Sequence, residues 1–155
     1  MAISFETFRL TAKDVELSFA LVSATLPGVD LTSWKRFVMP LIAQKPAGER
    51  PEGAVGLRNP RGYICGVMIY RAEDDLRSGR VLSVDLFIAL DFLRERAAVA
   101  ALLDTVEAIG CGEGYKNARI RIGPEQSQLL KAAQAAGYEA AERIFFKPIA
   151  ASTGH

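Results

Sequence analysis

Arg94 and Arg96 open a stretch of helical periodicity just after the most strand-like run of the chain, residues 81–88 (Val-Leu-Ser-Val-Asp-Leu-Phe-Ile). A strand feeding a helix leaves backbone N–H groups unpaired at the helix start, where an anion is welcome. Basic side chains there oppose the macrodipole of an isolated helix, by roughly 0.3–1 kcal/mol each. A bound phosphate reverses that sign, while Glu95 between the two arginines offsets part of it without any ligand. Local charge therefore leaves two readings open, an anion site and a solvated helix start.

Other chemistries find little support. The sole histidine is His155, the last residue, so a His-based triad, a histidine general base and a zinc site are all disfavoured. Cys65 and Cys111 lie far apart without a Cys-x-x-Cys or Cys/His spacing, and no metal site is expected. Two free thiols suit a reducing compartment, with a single disulfide between them as the alternative. Gly110-Cys111-Gly112-Glu113-Gly114 looks like a phosphate loop, but it follows a helix instead of preceding one and reads as a flexible connection. Arg119 and Arg121 share one face of a strand, able to meet a phosphate or to sit solvated or salt-bridged. Glu73, Asp74 and Asp75 read as an acidic loop cluster, explained by surface acidity or by a cationic partner.

The elements that must position these residues follow from periodicity. Residues 3–10 alternate as a strand, and Thr11 or Asp14 caps a helix that runs to about Leu26 before Pro27-Gly28 stops it. Asp30 caps a second helical stretch with Trp34, Phe37, Val38 and Leu41, in which Pro40 invites a kink. Residues 44–53 are rich in breakers and read as an exposed loop. A short strand at 54–58, a turn at Asn59-Pro60-Arg61-Gly62 and a strand at 63–71 make a hairpin. A charged turn at 73–80 leads to the strand 81–88, where alternation puts Leu82, Val84, Leu86 and Ile88 on one face and Val81, Ser83, Asp85 and Phe87 on the other. Ala98, Leu102, Val106 and Ile109, widened by Val99 and Leu103, form a helical stripe that Gly110 closes. A strand at 118–122 precedes a helix with Pro124 at its first position and Gly137 at its end. Residues 138–149 read as a final strand with Ile144, Phe145 and Phe146 at its heart, and the tail beyond Ile149 as disordered.

With 155 residues, half of them hydrophobic, the chain suits one domain with a real core. Its 19 basic and 18 acidic residues leave a formal net charge of +1, without the basic balance of a nucleic-acid binder. The N-terminus lacks the charged-then-apolar order of a signal peptide, and no uncharged apolar run reaches the roughly 18 residues of a membrane span. The expectations are no nucleic acid, no membrane and a cytoplasmic location.

In this order of elements the chain resembles the GNAT superfamily of acyl-CoA N-acyltransferases, from the hairpin at 54–71 through Ile149. The resemblance implies an α/β fold with a central mixed sheet flanked by helices, residues 1–149 forming a single domain and 150–155 a disordered tail. In that family a Gln/Arg-x-x-Gly-x-Gly/Ala loop wraps the pyrophosphate of coenzyme A. Arg94-Glu95-Arg96-Ala97-Ala98-Val99 occupies its place, with Arg94 at the first position and Ala97 and Val99 where the pattern has small residues or glycine. Valine adds a branched side chain where glycine would allow close approach of the backbone.

The resemblance further implies that Leu86, Phe87 and Ile88 pair through their main chain with the pantetheine arm of acetyl-CoA or another acyl-CoA. It makes Asp85 the candidate general base, since an ammonium must lose a proton before its nitrogen can attack a thioester; the plainer alternative is an Asp at a bulge or paired with an arginine. The family's general-acid tyrosine, four residues before the glycine of Tyr-x-x-x-Gly-Phe/Tyr, is replaced by Ala133 ahead of Gly137-Tyr138. Trp34, Phe37 and Met39 lie where the family shapes its acceptor pocket, although core packing also accounts for them. The implied partners are a small-molecule or peptide amine and, as family members often dimerise, a second copy. The resemblance therefore implies acetyl transfer from acetyl-CoA to an amine. One rival is a catalytically impaired relative that binds CoA or a partner without turnover; another is an unrelated α/β binding module.

Overall fold

The computed structural model describes residues 4–42, 52–91 and 93–150. Thr11 and Asp14 act together at the first helix. The Asp14 carboxylate accepts from the Thr11 backbone N–H at 2.9 Å and from its hydroxyl at 2.8 Å, which closes the N-terminus of α1 (Ala12–Thr25) behind strand β1 (Glu6–Arg9). Asp30 caps α2 (Leu31–Ile42) by accepting from the Ser33 N–H at 2.7 Å, and Pro40 sits in its last turn. The two helices are locked through Trp34, whose buried indole N–H donates to the Val15 carbonyl at 3.1 Å and to Ser18 Oγ at 3.2 Å. A buried indole needs such a partner, because an unmet donor costs about 1–3 kcal/mol.

Strands β2 (Glu52–Arg58), β3 (Ile64–Asp75) and β4 (Gly79–Ala89) form an antiparallel meander, with β1 on the outer side of β2. Helix α3 (Glu95–Glu113) crosses over to β5 (Asn117–Ile120), which lies parallel to β4 and completes a five-stranded sheet ordered β1-β2-β3-β4-β5. Helix α4 (Ser127–Ala135) follows. The mixed sheet between helices is the α/β architecture expected from the sequence. One core lies beneath α3 and α4 and contains Leu57, Met68, Leu82, Leu102 and Val106; the other lies beneath α1 and α2 around Val15, Trp34, Val38, Val67 and Ile69. Fully burying a side chain of the Leu or Val type stabilises by roughly 1.5–3 kcal/mol, so both sheet faces are held.

Several boundaries differ from the sequence expectation. The segment 73–80 is mostly strand: β3 runs to Asp75 and β4 begins at Gly79, so only residues 76–78 turn. Arg71 and Glu73, two residues apart on β3, pair at 2.7 Å. Helix α3 passes through Gly110 and Gly112 and ends at Gly114, whose φ of +77° suits the left-handed cap that glycine adopts cheaply. The glycine-rich run is therefore largely the last turn of a helix and not a flexible connection. Pro124 lies in a turn three residues ahead of α4 and not at its first position, and β5 stops at Ile120. Residues 138–150 contain no strand at all, and Ile144, Phe145 and Phe146 are exposed. The expected loop at 44–53 lies outside the described residues except for Glu52 and Gly53, which begin β2, and the expected tail lies outside them beyond Ala150.

The thiols sit in opposite environments. Cys65 is buried, and loss of hydration, reinforced by the nearby Asp91 charge, pushes its thiol up to about 11, whereas Cys111 is exposed. A raised thiol value adds stability below the unfolded value near 9 that is lost as pH climbs through 11, because only the unfolded chain then ionises easily. A thiol reagent at pH 8 is expected to titrate Cys111 alone in the native protein and both cysteines in denaturant. Equal reactivity without denaturant would contradict the packing described for β3.

Candidate active site

The parallel ladder between β4 and β5 is short. Val84 pairs with Ile120, and the Arg121 N–H donates to the Val84 carbonyl at 3.1 Å. Beyond that point β4 continues to Ala89 while β5 has ended, so the two chains part. A cleft of about 250 Å³ opens there, walled by Phe87–Ala89 of β4 and the following Leu90, Glu95 and Val99 of α3, and Glu125–Leu129 at the start of α4.

A bulge decides which groups of β4 face that opening. Pairing with β3 slips between Ile69 and Tyr70, matching Ile69 to Leu86 and Tyr70 to Val84, so Asp85 is the extra residue. Such an insertion breaks strict alternation. Leu82, Val84 and Phe87 consequently pack in the core under α3, and Leu86 and Ile88 in the core under α1 and α2. The single-face grouping of Leu82, Val84, Leu86 and Ile88 expected from the sequence is thereby corrected. The bulge also turns the Phe87 carbonyl toward the opening, where it accepts from the Gln126 side-chain amide at 2.8 Å. Gln126 Oε1 in turn accepts from the Gly123 N–H at 2.8 Å. One side chain thus bridges the gap where a longer β5 would have paired. Two residues on, the period of a strand brings the Ala89 peptide to the same edge.

The start of α3 forms the other wall. Arg94 is its N-cap, and Asp91 holds the approach: its carboxylate accepts from the Leu93 and Arg94 N–H groups at 3.1 and 3.2 Å, and from the Asn59 amide at 3.4 Å. The Arg94 carbonyl takes the Ala98 N–H, the first bond of the helix, and the amides of Glu95, Arg96 and Ala97 before it have no hydrogen-bond partner among the described residues. Arg94 and Arg96 are exposed beside them. Ala98 is fully buried in the core, so its side chain cannot reach the cleft, and Val99 is nearly buried at the cleft wall.

Asp85 lies on the face of the sheet opposite α3, within a charged network. Its carboxylate meets the Arg71 guanidinium at 2.6 Å and the Arg121 guanidinium at 3.2 Å, and accepts from the Ser83 hydroxyl at 2.9 Å. Arg119 continues the network, pairing with Glu73 and donating to Ser83 Oγ at 3.1 Å. Arg119 and Arg121 are therefore salt-bridged. Trp34 is core, whereas Phe37 and Met39 of α2 are exposed. Ala133 is buried, and Tyr138 is half-buried against the same core, its hydroxyl pushed up by loss of hydration and by Glu107. Gln126, Asp91 and Glu125 were not singled out from the sequence. The Gly123-Pro124-Glu125-Gln126 turn was the available signal for two of them, but no residue type announces that a glutamine will span two separated strands.

The fold is shared with solved structures of N-acetyltransferases. A crystal structure of the aminoglycoside N-acetyltransferase AAC(6')-Iy in complex with CoA matches with a TM-score of 0.76 and 16% identity, over 96% of this chain and 97% of that one. A ribosomal-protein-alanine N-acetyltransferase from Brucella melitensis biovar Abortus 2308 matches at 0.71 and 15% identity, over 96% and 100% of the two chains. A transcriptional regulator from Bacillus halodurans C-125 matches at 0.73 and 10% identity, over 96% and 100%. No protein-family model matches the chain, and no curated protein matches it in sequence.

Replacing Gln126 with Ala removes the partner of both the Phe87 carbonyl and the Gly123 N–H. The cleft is partly wetted, so the expected loss is about 1 kcal/mol in urea unfolding. An unchanged unfolding midpoint would mean that the bridge does not hold the parted strands.

Proposed function

We propose that the protein is an acyl-CoA-dependent N-acyltransferase that moves an acetyl group from acetyl-CoA to an amine. The observation that carries this reading is the parting of β4 from β5 directly beside the open amides of Glu95, Arg96 and Ala97. An extended amide-bearing arm needs a strand edge to pair with, and a diphosphate needs convergent N–H donors; the cleft is lined by Phe87–Ala89 of the strand and by Glu95 at the helix start. The residues fit such a co-substrate: the Phe87 and Ala89 peptides present the edge, and Arg94 and Arg96 supply positive charge at the helix start. Solved structures of the same architecture include one with CoA and one with a bisubstrate analogue, CoA-S-monomethyl-acetylneamine.

In this reading the amine nitrogen attacks the thioester carbonyl carbon, a C–N bond forms, and the C–S bond breaks through a tetrahedral intermediate. Asp85 takes the proton that the nitrogen loses. It is the ionisable side chain at the β4 bulge, one residue past the last paired position, Val84. It must first release a guanidinium, and Arg121 is the readier one, with the longer contact and 41% of its side chain exposed. The departing thiolate takes its proton from water, because Ala133 offers no acid. A small-molecule or peptide amine is the acceptor; one aminoglycoside acetyltransferase of the same fold is solved in complex with sisomicin.

A second reading, binding without turnover, is favoured by the buried Ala133 and by Val99 at the cleft wall. Acetyl-CoA at a hundred times its dissociation constant is expected to stabilise the fold by about 2.7 kcal/mol. Absence of a thermal shift with any acyl-CoA would overturn both readings. Thiol release over a panel of amines separates them. For the enzyme, Asp85→Asn is expected to lower kcat/KM by about 100-fold or more with acetyl-CoA binding retained. A loss below about threefold would make Asp85 a structural member of its ion network, since general-base removal normally costs far more.

A further inference from the structure

We infer that the acceptor carries a carboxylate beside its amine, as an α-amino acid does, and that Arg121 holds that carboxylate; this rests on the acetyl-transfer reading above and names its substrate class. Asp85 can receive an ammonium only by giving up a cation, and the released cation then needs another anion.

The two guanidiniums on Asp85 are not equivalent. Arg71 Nε meets Asp85 Oδ2 at 2.6 Å, and Arg71 Nη2 meets Glu73 Oε1 at 2.7 Å, so Arg71 keeps a partner whatever Asp85 does. Arg121 touches Asp85 Oδ1 through Nε alone, at 3.2 Å. Its two Nη groups make no hydrogen bond or ion pair with a described residue. The fully buried Ser83 also donates its hydroxyl to Oδ1 at 2.9 Å, and Arg119 fixes that hydroxyl by donating to it at 3.1 Å. Arg71 and Ser83 are the anchors of Asp85, and Arg121 is its exchangeable partner. Arg121 follows directly on Ile120, the last residue of β5, so this pair stands where β4 and β5 part.

Charge on this face is balanced before any acceptor arrives. Glu52, Arg71, Ser83 and Arg119 face one another in register across β2, β3, β4 and β5, and directly paired residues share a sheet face. Arg71, Arg119 and Arg121 are thus matched by Glu52, Glu73 and Asp85. An ammonium that takes the place of Arg121 on Asp85 leaves that guanidinium without a counter-charge. A simple amine does nothing to correct this, and a polyamine adds more positive charge. An amino acid corrects it within one molecule. Its ammonium takes Asp85, and its carboxylate accepts from the open Nη groups of Arg121 in the two-pronged geometry that a guanidinium favours. One ion pair is exchanged for two, and the net charge of the face is unchanged.

The test compares the common α-amino acids with the same compounds as carboxamides, which keep the amine and lose the anion; a linear diamine is the cationic probe. Binding to the full chain saturated with CoA is followed by calorimetry, and thiol release with acetyl-CoA gives kcat/KM. The wild type is expected to favour at least one acid over its amide by about tenfold or more in Kd, because a charged hydrogen-bonded pair forms only with the acid. Arg121→Gln is expected to reduce that ratio to below about threefold, and Arg121→Lys to keep part of it as a point charge without the fork. The comparison on the wild type stands even if a variant fails to fold. No binding of any acid, equal affinity for acid and amide, preference for the diamine, or a preference that survives Arg121→Gln would overturn the inference and leave acetyl transfer in place. Failure to bind any acyl-CoA removes the underlying reading instead, so the two failures are told apart.

Discussion

The early end of the β4–β5 ladder is the constraint from which the rest of the site follows. Parallel strands ordinarily remain paired beneath a crossover helix, because each buried peptide group left without a partner costs about 1–3 kcal/mol. Here pairing with β5 stops at Val84–Ile120, and β4 continues for five more residues beside β3 only. Gln126 covers part of the deficit at Phe87. The Ala89 peptide and the first turn of α3 remain as polar backbone lining a cleft, and a ligand able to satisfy strand and helix start together would complete the fold.

Two further features of β4 act on this opening. The bulge at Asp85 changes which side chains and carbonyls face which way, so that Phe87 belongs to the α3 core while its carbonyl looks into the gap. It also sets Asp85 among Arg71, Arg121 and Ser83 on the other face, in a network whose charges largely compensate one another. At the helix start, Asp91 organises the turn before α3 by taking the Leu93 and Arg94 amides, just ahead of Glu95 at the cleft wall.

What was legible in the sequence was local. The Ala98–Leu102–Val106 stripe, the caps at Thr11 and Asp30, and the hairpin at Asn59–Gly62 all follow from period or turn chemistry, and all occur. The order of these elements was enough to indicate the architecture. The misses were non-local. Nothing in Val-Leu-Ser-Val-Asp-Leu-Phe-Ile marks Asp85 as the inserted residue, because a bulge depends on the register of the neighbouring strand. Gly110 looked like a stop, yet the helix continues through it, since a glycine in a helix costs only about 1 kcal/mol against packing of the whole stripe. The run 138–149 has strand character without a strand in the single chain, because sheet formation requires an edge that the sequence itself does not display.

The central claim, that β4 and the start of α3 together present their backbone to one ligand, is tested most directly by amide-resolved NMR during titration with CoA. The account predicts that the largest shift changes fall on the N–H groups of Phe87, Ala89, Glu95, Arg96 and Ala97, saturating with a single dissociation constant. Saturation with changes confined to other elements, or no saturable change at all, would contradict it.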